Sequence, residues 1–152
     1  MYDYIFKNAT VIDGTGQNRY KSNVALFAGT IALVTNQTIS RAKNVIDCEG
    51  KILSPGLIDM HCHTDFEILR DRDAKARIGQ GITTDVTGNC GIGTFPYNNP
   101  YLKSLVGDVL GDYPDWAWSD YPSWRSYVEN GGIGSNQIYL VSHSALRVAA
   151  MG

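Results

Sequence analysis

The chain has 152 residues, about one domain's worth of sequence. Hydrophobic residues make up 43% and charged residues 18%, which suits a buried core and excludes a disordered composition. A net charge of −2, with no long run of one sign, excludes nucleic-acid or membrane-surface partners recruited by charge.

The N-terminus, "MYDYIFKNAT", lacks the basic start, apolar middle and small-residue cleavage site of a signal peptide. The longest apolar run, Val24 to Val34, is interrupted by Gly29 and Thr30 and is too short to cross a bilayer. Cys48, Cys62 and Cys90 form an odd, widely spaced set. Without an export signal they read as reduced thiols in a cytoplasmic protein, not as a disulfide framework.

The sequence divides near Pro55. Residues 1–54 are β-rich. "DYIFKNATVID" alternates as strands do, with a turn candidate at Lys7–Asn8. "NVALFAGTIALVT" reads as two strands joined near Ala28–Gly29, and "NVIDCEGKILS" as another pair joined near Glu49–Gly50. Short strands with tight turns predict a small sandwich or partial barrel, with Cys48 as a small buried residue.

Residues 55–152 change rhythm. "GLIDMHCH" is strand-like, and a helix is expected within Phe66 to Gln80, stopped by Gly81. "ITTDVTGN" is a β-branched strand. An irregular stretch, rich in Gly, Pro, Asn and aromatics, runs from Cys90 to Trp118; its aromatics from Phe95 onward form a pocket wall or, the favoured reading, a cover. "SDYPSWRSYVEN" predicts a helix capped by Ser119 or Asp120 and stopped at Gly131–Gly132. "NQIYLVSHS" is a third strand, and "ALRVAAM" opens another helix. The alternation predicts a parallel α/β fold.

The stretch "GLIDMHCHTD" spends two of the chain's three histidines one residue apart. Positions i and i+2 of a strand share a side, so His61 and His63 face one way and Cys62 the other. They fall at the C-terminal end of the strand, where parallel α/β barrels keep their active sites. Two imidazoles there make half of a transition-metal site. Asp65 is placed either to orient an imidazole or to cap the following helix. The next strand ends in "TGNCG", where Cys90 offers a thiolate suited to Zn2+ and flanking glycines permit close backbone approach.

On these residues the chain resembles the amidohydrolase superfamily, and within it the N-acyl-D-amino-acid deacylases, or D-aminoacylases. "SPGLIDMHCHTD" resembles the superfamily's first barrel strand, and "GQGITTDVTGNCGIG" is similar to the deacylases, whose cysteine replaces a carboxylated lysine as a metal ligand. "NATVIDGTG" and "VSHSALRVAAMG" fit the same family. The resemblance implies a small β-sandwich (residues 1–54, incomplete) followed by the first three or so βα units of a TIM (β/α)8 barrel (residues 55–152, incomplete). It implies His61, His63 and Cys90 as metal ligands, with Asp65, Asn89 and His143 beside the substrate or behind the ligands. The "SHS" around His143 departs slightly from the family's "GHS". Arg147 could meet an anion, but a solvated helix residue is the favoured reading.

The implied activity is zinc-dependent hydrolysis of N-acyl-D-amino acids, small-molecule substrates, to a carboxylate and a D-amino acid. The family also uses two later histidines and a later catalytic aspartate. No histidine follows His143 here and no aspartate follows Asp120. The expectation is therefore an N-terminal fragment that is inactive alone. Two alternatives stand beside it: an amidohydrolase of cyclic amides, such as a hydantoinase or dihydroorotase relative, which would want a lysine in place of Cys90, and a non-catalytic zinc-binding domain.

Overall fold

The computed structural model describes residues 1–111 and 116–152; the side chains of residues 108–110 lie outside that description. The chain separates into two compact units, Met1–Pro55 and Gly56–Gly152. Among the described residues no helix is long and apolar enough to cross a membrane.

The first unit is one five-stranded sheet. Its strands are β1 (Tyr2–Val11), β2 (Tyr20–Phe27), β3 (Thr30–Thr35), β4 (Ala42–Asp47) and β5 (Ile52–Leu53), in the order β3-β2-β1-β4, with β5 also beside β1. The turn expected at Lys7–Asn8 is instead a bulge inside one long strand, where the β1–β2 register shifts between Phe6 and Ala9. Asn8 sits at φ 58°, its amide donating to Asn23 Oδ1 and its side chain to Asp47 Oδ1. A bulge adds one residue and so reverses which side chains face each side. That is why Ile5 packs with Ala25 and Ile39, while Ala9 and Val11 join Val24 and Cys48 in a second cluster.

The Ala28–Gly29 turn forms as expected, with both residues at positive φ. The pair expected around Glu49–Gly50 is not a hairpin. β4 and β5 both run parallel to β1, one after the other along the same edge. The Cys48 amide donates to Lys7 O and the Thr10 amide to Lys51 O, so the intervening turn stays on that edge. Cys48 is buried, as its size and polarity suggest.

The second unit is built on a parallel three-stranded sheet, β6 (Leu57–Asp59), β7 (Ile82–Thr87) and β8 (Asn136–Tyr139), in sequential order. The helix expected within Phe66 to Gln80 is two single turns, α1 (Thr64–Glu67) and α2 (Lys75–Ile78). The segment between them is pulled away by Arg72. Its guanidinium donates to the carbonyls of Val128 and Gly132 and lies 4.7 Å from the Tyr127 ring, and its carbonyl accepts the Gly134 amide.

The stretch expected to be irregular contains α3 (Pro100–Leu110); residues 112–115 of that stretch lie outside the described residues. Asn99 caps α3 by accepting the Tyr101 amide, and proline occupies the first turn. Leu102 and Val106, one turn apart, pack against Phe66, Ala145 and Val148. α4 (Tyr121–Gly131) starts at the predicted Asp120 cap, in a reciprocal capping box with Ser123. Trp124 and Val128 of α4 join Ile68, Phe95 and Trp118 in an aromatic core, edged by Tyr97, Trp116, Tyr127 and Tyr139. Phe95 and Trp118 are thus core residues. The final helix, α5 (His143–Met151), begins one residue after Ser142.

Candidate metal centre

β6 ends at Asp59, so His61 and His63 stand on the loop beyond it and not within the strand. The alternation nevertheless persists: Cys62 is buried, while His61 is exposed and His63 half-buried. Loop and strand are held together by backbone bonds, with the Cys62 amide donating to Val86 O on β7.

Cys90 approaches from the neighbouring strand end. β7 runs into Gly88 at φ 81°, then a single 3-10 turn, Asn89–Gly91, in which Cys90 itself sits at φ 56°. A non-glycine residue in the left-handed region costs about 1–3 kcal/mol and persists only where its surroundings enforce it. Here Asn89 enforces it, donating to Val86 O at 2.7 Å and Cys62 O at 3.5 Å, which ties the two loops together. A Cβ at Gly88 would collide with the Leu140 carbonyl, so glycine is required both by φ and by the close approach of the β8 end.

The result is convergence of three donors. One ligand atom each from His61, His63 and Cys90 lies within 4.8 Å of the others. His61 Nε2 is 3.0 Å from Cys90 Sγ, and the two imidazole rings are 6.2 Å apart at a 75° interplanar angle. Among the described residues the buried Nδ1 of His63 has no hydrogen-bond partner. Burial, and secondarily the His61 charge, lowers the His63 pKa and favours the neutral, ligating form. Two nitrogens and a sulfur around one point, with a buried nitrogen unpaired, fit a borderline-soft divalent cation.

Asp65 is 1% exposed, and burial pushes its carboxyl up to about 7 against the opposing pull of backbone amides of Asp65, Phe66 and Thr94. Among the described residues its Oδ1 has no hydrogen-bond partner, and the cap position of α1 belongs to His63. His143 is not at a strand end but in the first turn of α5, exposed, and outside the three-donor cluster. Arg147 is exposed on α5.

Behind the donors lies a group that the sequence did not reveal. Asp59 and Asp85 are register partners on β6 and β7, and Arg77 of α2 reaches both at 2.5 Å. Asp85 is fully buried and also accepts from Ser135 Oγ and from the Cys62 thiol. The Arg77 guanidinium, followed by the His61 amide, holds the Asp59 carboxyl below the usual range, while burial raises the Cys62 thiol. The one available signal was an aspartate in each of two otherwise apolar or β-branched strands, at the end of β6 and within β7.

A profile of the amidohydrolase family matches residues 44–152. The chain belongs to the amidohydrolase family. It is 34% identical over 149 residues to an N-acyl-D-aspartate deacylase of Alcaligenes xylosoxydans xylosoxydans, covering 98% of this chain and 30% of the relative. A D-aminoacylase of the same organism is 32% identical over 152 residues, covering 99% of this chain and 31% of that one. Among solved structures, an N-acyl-D-glutamate deacylase from Bordetella bronchiseptica, complexed with zinc and a phosphonate mimic of the tetrahedral intermediate, superposes with a TM-score of 0.87. It is 31% identical, over 99% of this chain and 31% of that one. This amidohydrolase chain thus spans about a third of the length of the relatives it matches, and its α/β architecture is that of the N-terminal part of those enzymes.

Proposed function

We propose that this chain is the beginning of a zinc-dependent hydrolase that cleaves the amide of N-acyl-D-amino acids to a carboxylate and a D-amino acid. The observation that carries the reading is the convergence of His61, His63 and Cys90 at the ends of adjacent parallel strands. That donor set suits zinc, and relatives with matching sequence along the whole chain are deacylases of this substrate class. In this reading residues 1–54 are part of a β-sandwich and residues 55–152 are the opening βα units of a (β/α)8 barrel, working in the cytoplasm.

When bound, the ion supplies Lewis-acid chemistry, polarising the acyl carbonyl and activating water. The chain's own residues do the holding. His61 and His63 would each hold the ion through a ring nitrogen and Cys90 through its sulfur. Asn89 fixes the Cys90 loop against the histidine loop, and Asp65, two residues after His63, is buried. His143, on the first turn of α5, faces solvent on the same edge of the sheet as a substrate-side residue. With three donors for the ion and none of these residues placed as the general base, the 152 residues by themselves bind zinc weakly and turn over negligibly in this reading.

The test is an assay of the full-length gene product, stripped of metal and then supplied with zinc, against N-acetyl-D- and N-acetyl-L-amino acids and hydantoins. Release of the D-amino acid alone, abolished in Cys90→Ala, is the expected result. Hydrolysis of the cyclic amide without the D-amide would overturn the proposal in favour of a hydantoinase-like activity. Zinc binding with no turnover of either would favour a non-catalytic zinc domain.

A further inference from the structure

Three groups behind the candidate centre share one charge system. Asp59 Oδ1 accepts the backbone amide of His61 at 3.0 Å, and its Oδ2 accepts Arg77 Nη2 at 2.5 Å. Arg77 in turn donates through Nε and Nη2 to Asp85 Oδ1, at 3.2 and 2.5 Å. Asp85 Oδ2 accepts Ser135 Oγ at 2.9 Å, next to β8, and Asp85 Oδ1 also faces the Cys62 thiol at 3.7 Å. One guanidinium therefore ties together β6, β7, the start of β8 and the loop that carries both histidines.

Asp59, Cys62 and Asp85 also bring their ligand atoms within 4.8 Å of one another. This second cluster is not a cation site, because the Arg77 guanidinium already supplies its positive charge. Its connections lead to the histidine loop. Asp59 grips the main chain of His61, and Cys62, held in the same network, lies between His61 and His63. Moving Asp59 would move the His61 amide, and with it the imidazole that stands 3.0 Å from Cys90 Sγ.

We propose that Asp59, clamped by Arg77 against Asp85, is a positioning residue that sets the geometry of His61 toward Cys90. This rests on the reading of His61, His63 and Cys90 as metal ligands. Asp59 acts through a backbone amide, unlike the usual support in which a carboxylate binds the far nitrogen of a ligating imidazole.

The test is titration of the metal-free chain with cobalt(II), read from the thiolate-to-cobalt charge-transfer band and the visible ligand-field spectrum. Near-ultraviolet circular dichroism and the melting midpoint of the metal-free protein monitor folding. Asp59→Ala removes both bonds of Asp59 and is expected to weaken cobalt binding about 10–100-fold, the range for supporting partners of metal ligands. Its ligand-field spectrum should also shift. Asp59→Asn keeps the shape and one acceptor oxygen, which serves the His61 amide or Arg77 but not both. It should recover much of the affinity, and it carries the test if the alanine variant does not fold. Wild-type affinity and spectrum in the folded variants would overturn the positioning role. A wild-type chain with no Cys90-dependent charge-transfer band would overturn the metal-centre reading, and the positioning role with it.

Discussion

His61 Nε2 lies 3.0 Å from Cys90 Sγ, although 29 residues separate them in sequence. Two parallel strands side by side, each running into a loop at the same sheet edge, make that approach possible. Zinc that binds only the folded arrangement stabilises it by about 2.7 kcal/mol at 100 times its Kd. Added zinc is therefore expected to raise the melting midpoint of the chain, and a chelator should reverse the gain. Cys90→Ala and His61→Ala should each lose most of the shift while leaving the metal-free midpoint near wild type. A zinc-induced shift of wild-type size in Cys90→Ala would remove Cys90 from the centre.

The parts of the site legible in the sequence were those encoded locally. His61 and His63 lie two residues apart, and glycines bracket Asn89–Cys90, so both signals survive without knowledge of partners. The cap at Ser119 or Asp120 and the stop at Gly131–Gly132 likewise announced α4 locally, and the structure settles the cap on Asp120. What was hidden depends on tertiary choice. Glu49–Gly50 turns the chain as expected, but nothing local says that β4 and β5 will both lie along β1. The helical pattern after Phe66 is broken by the bonds Arg72 makes 56 and 60 residues away. Asp59 and Asp85 became partners only once β6 and β7 were in register. α3 is a different case: its Asn99–Pro100 start and the Leu102/Val106 spacing were readable, but the surrounding Gly, Pro and aromatic residues outweighed them.

The Asp120 cap gives a pH-dependent prediction. Hydrogen bonds from the Ser123 hydroxyl and amide hold the Asp120 carboxyl below its ordinary 3.8. A depressed carboxylate stabilises the fold above its unfolded-state pKa, and that contribution is lost as pH falls through the folded value. Asp120→Ala should therefore lower the melting midpoint at neutral pH, and the difference from wild type should shrink as the solution is acidified below 3.8. Asp120→Asn, which keeps the cap without the charge, should lose less at neutral pH. A deficit in Asp120→Ala that does not change with pH would show that the charge contributes nothing.

All three tryptophans, Trp116, Trp118 and Trp124, belong to the second unit, so their fluorescence reports its unfolding. Trp124 is fully buried, with its ring 4.5 Å from that of Trp118. Removing a buried tryptophan side chain costs about 3–5 kcal/mol. Trp124→Ala should lower the urea-unfolding free energy read from the remaining tryptophans by that amount, and Trp124→Phe by distinctly less. A loss below about 1 kcal/mol in the alanine variant would mean that the aromatic cluster re-packs around the gap.

Arg77 offers a prediction about stability that is separate from metal affinity. Its guanidinium is the cation that faces the fully buried Asp85 carboxylate. Removing one partner of a buried pair costs about 3–5 kcal/mol, because the remaining charge is left uncompensated. Arg77→Met should therefore destabilise the metal-free chain by several kcal/mol in urea unfolding. Asp59 is partly exposed and can rehydrate, so most of the penalty falls on Asp85. Replacing that residue as well, in Arg77→Met/Asp85→Leu, should restore part of the stability lost in the single variant, although Ser135 and the Cys62 thiol each lose an acceptor. If the double variant is less stable than Arg77→Met by the full cost of Asp85→Leu measured alone, the two residues act independently and the pair is not the source of the loss.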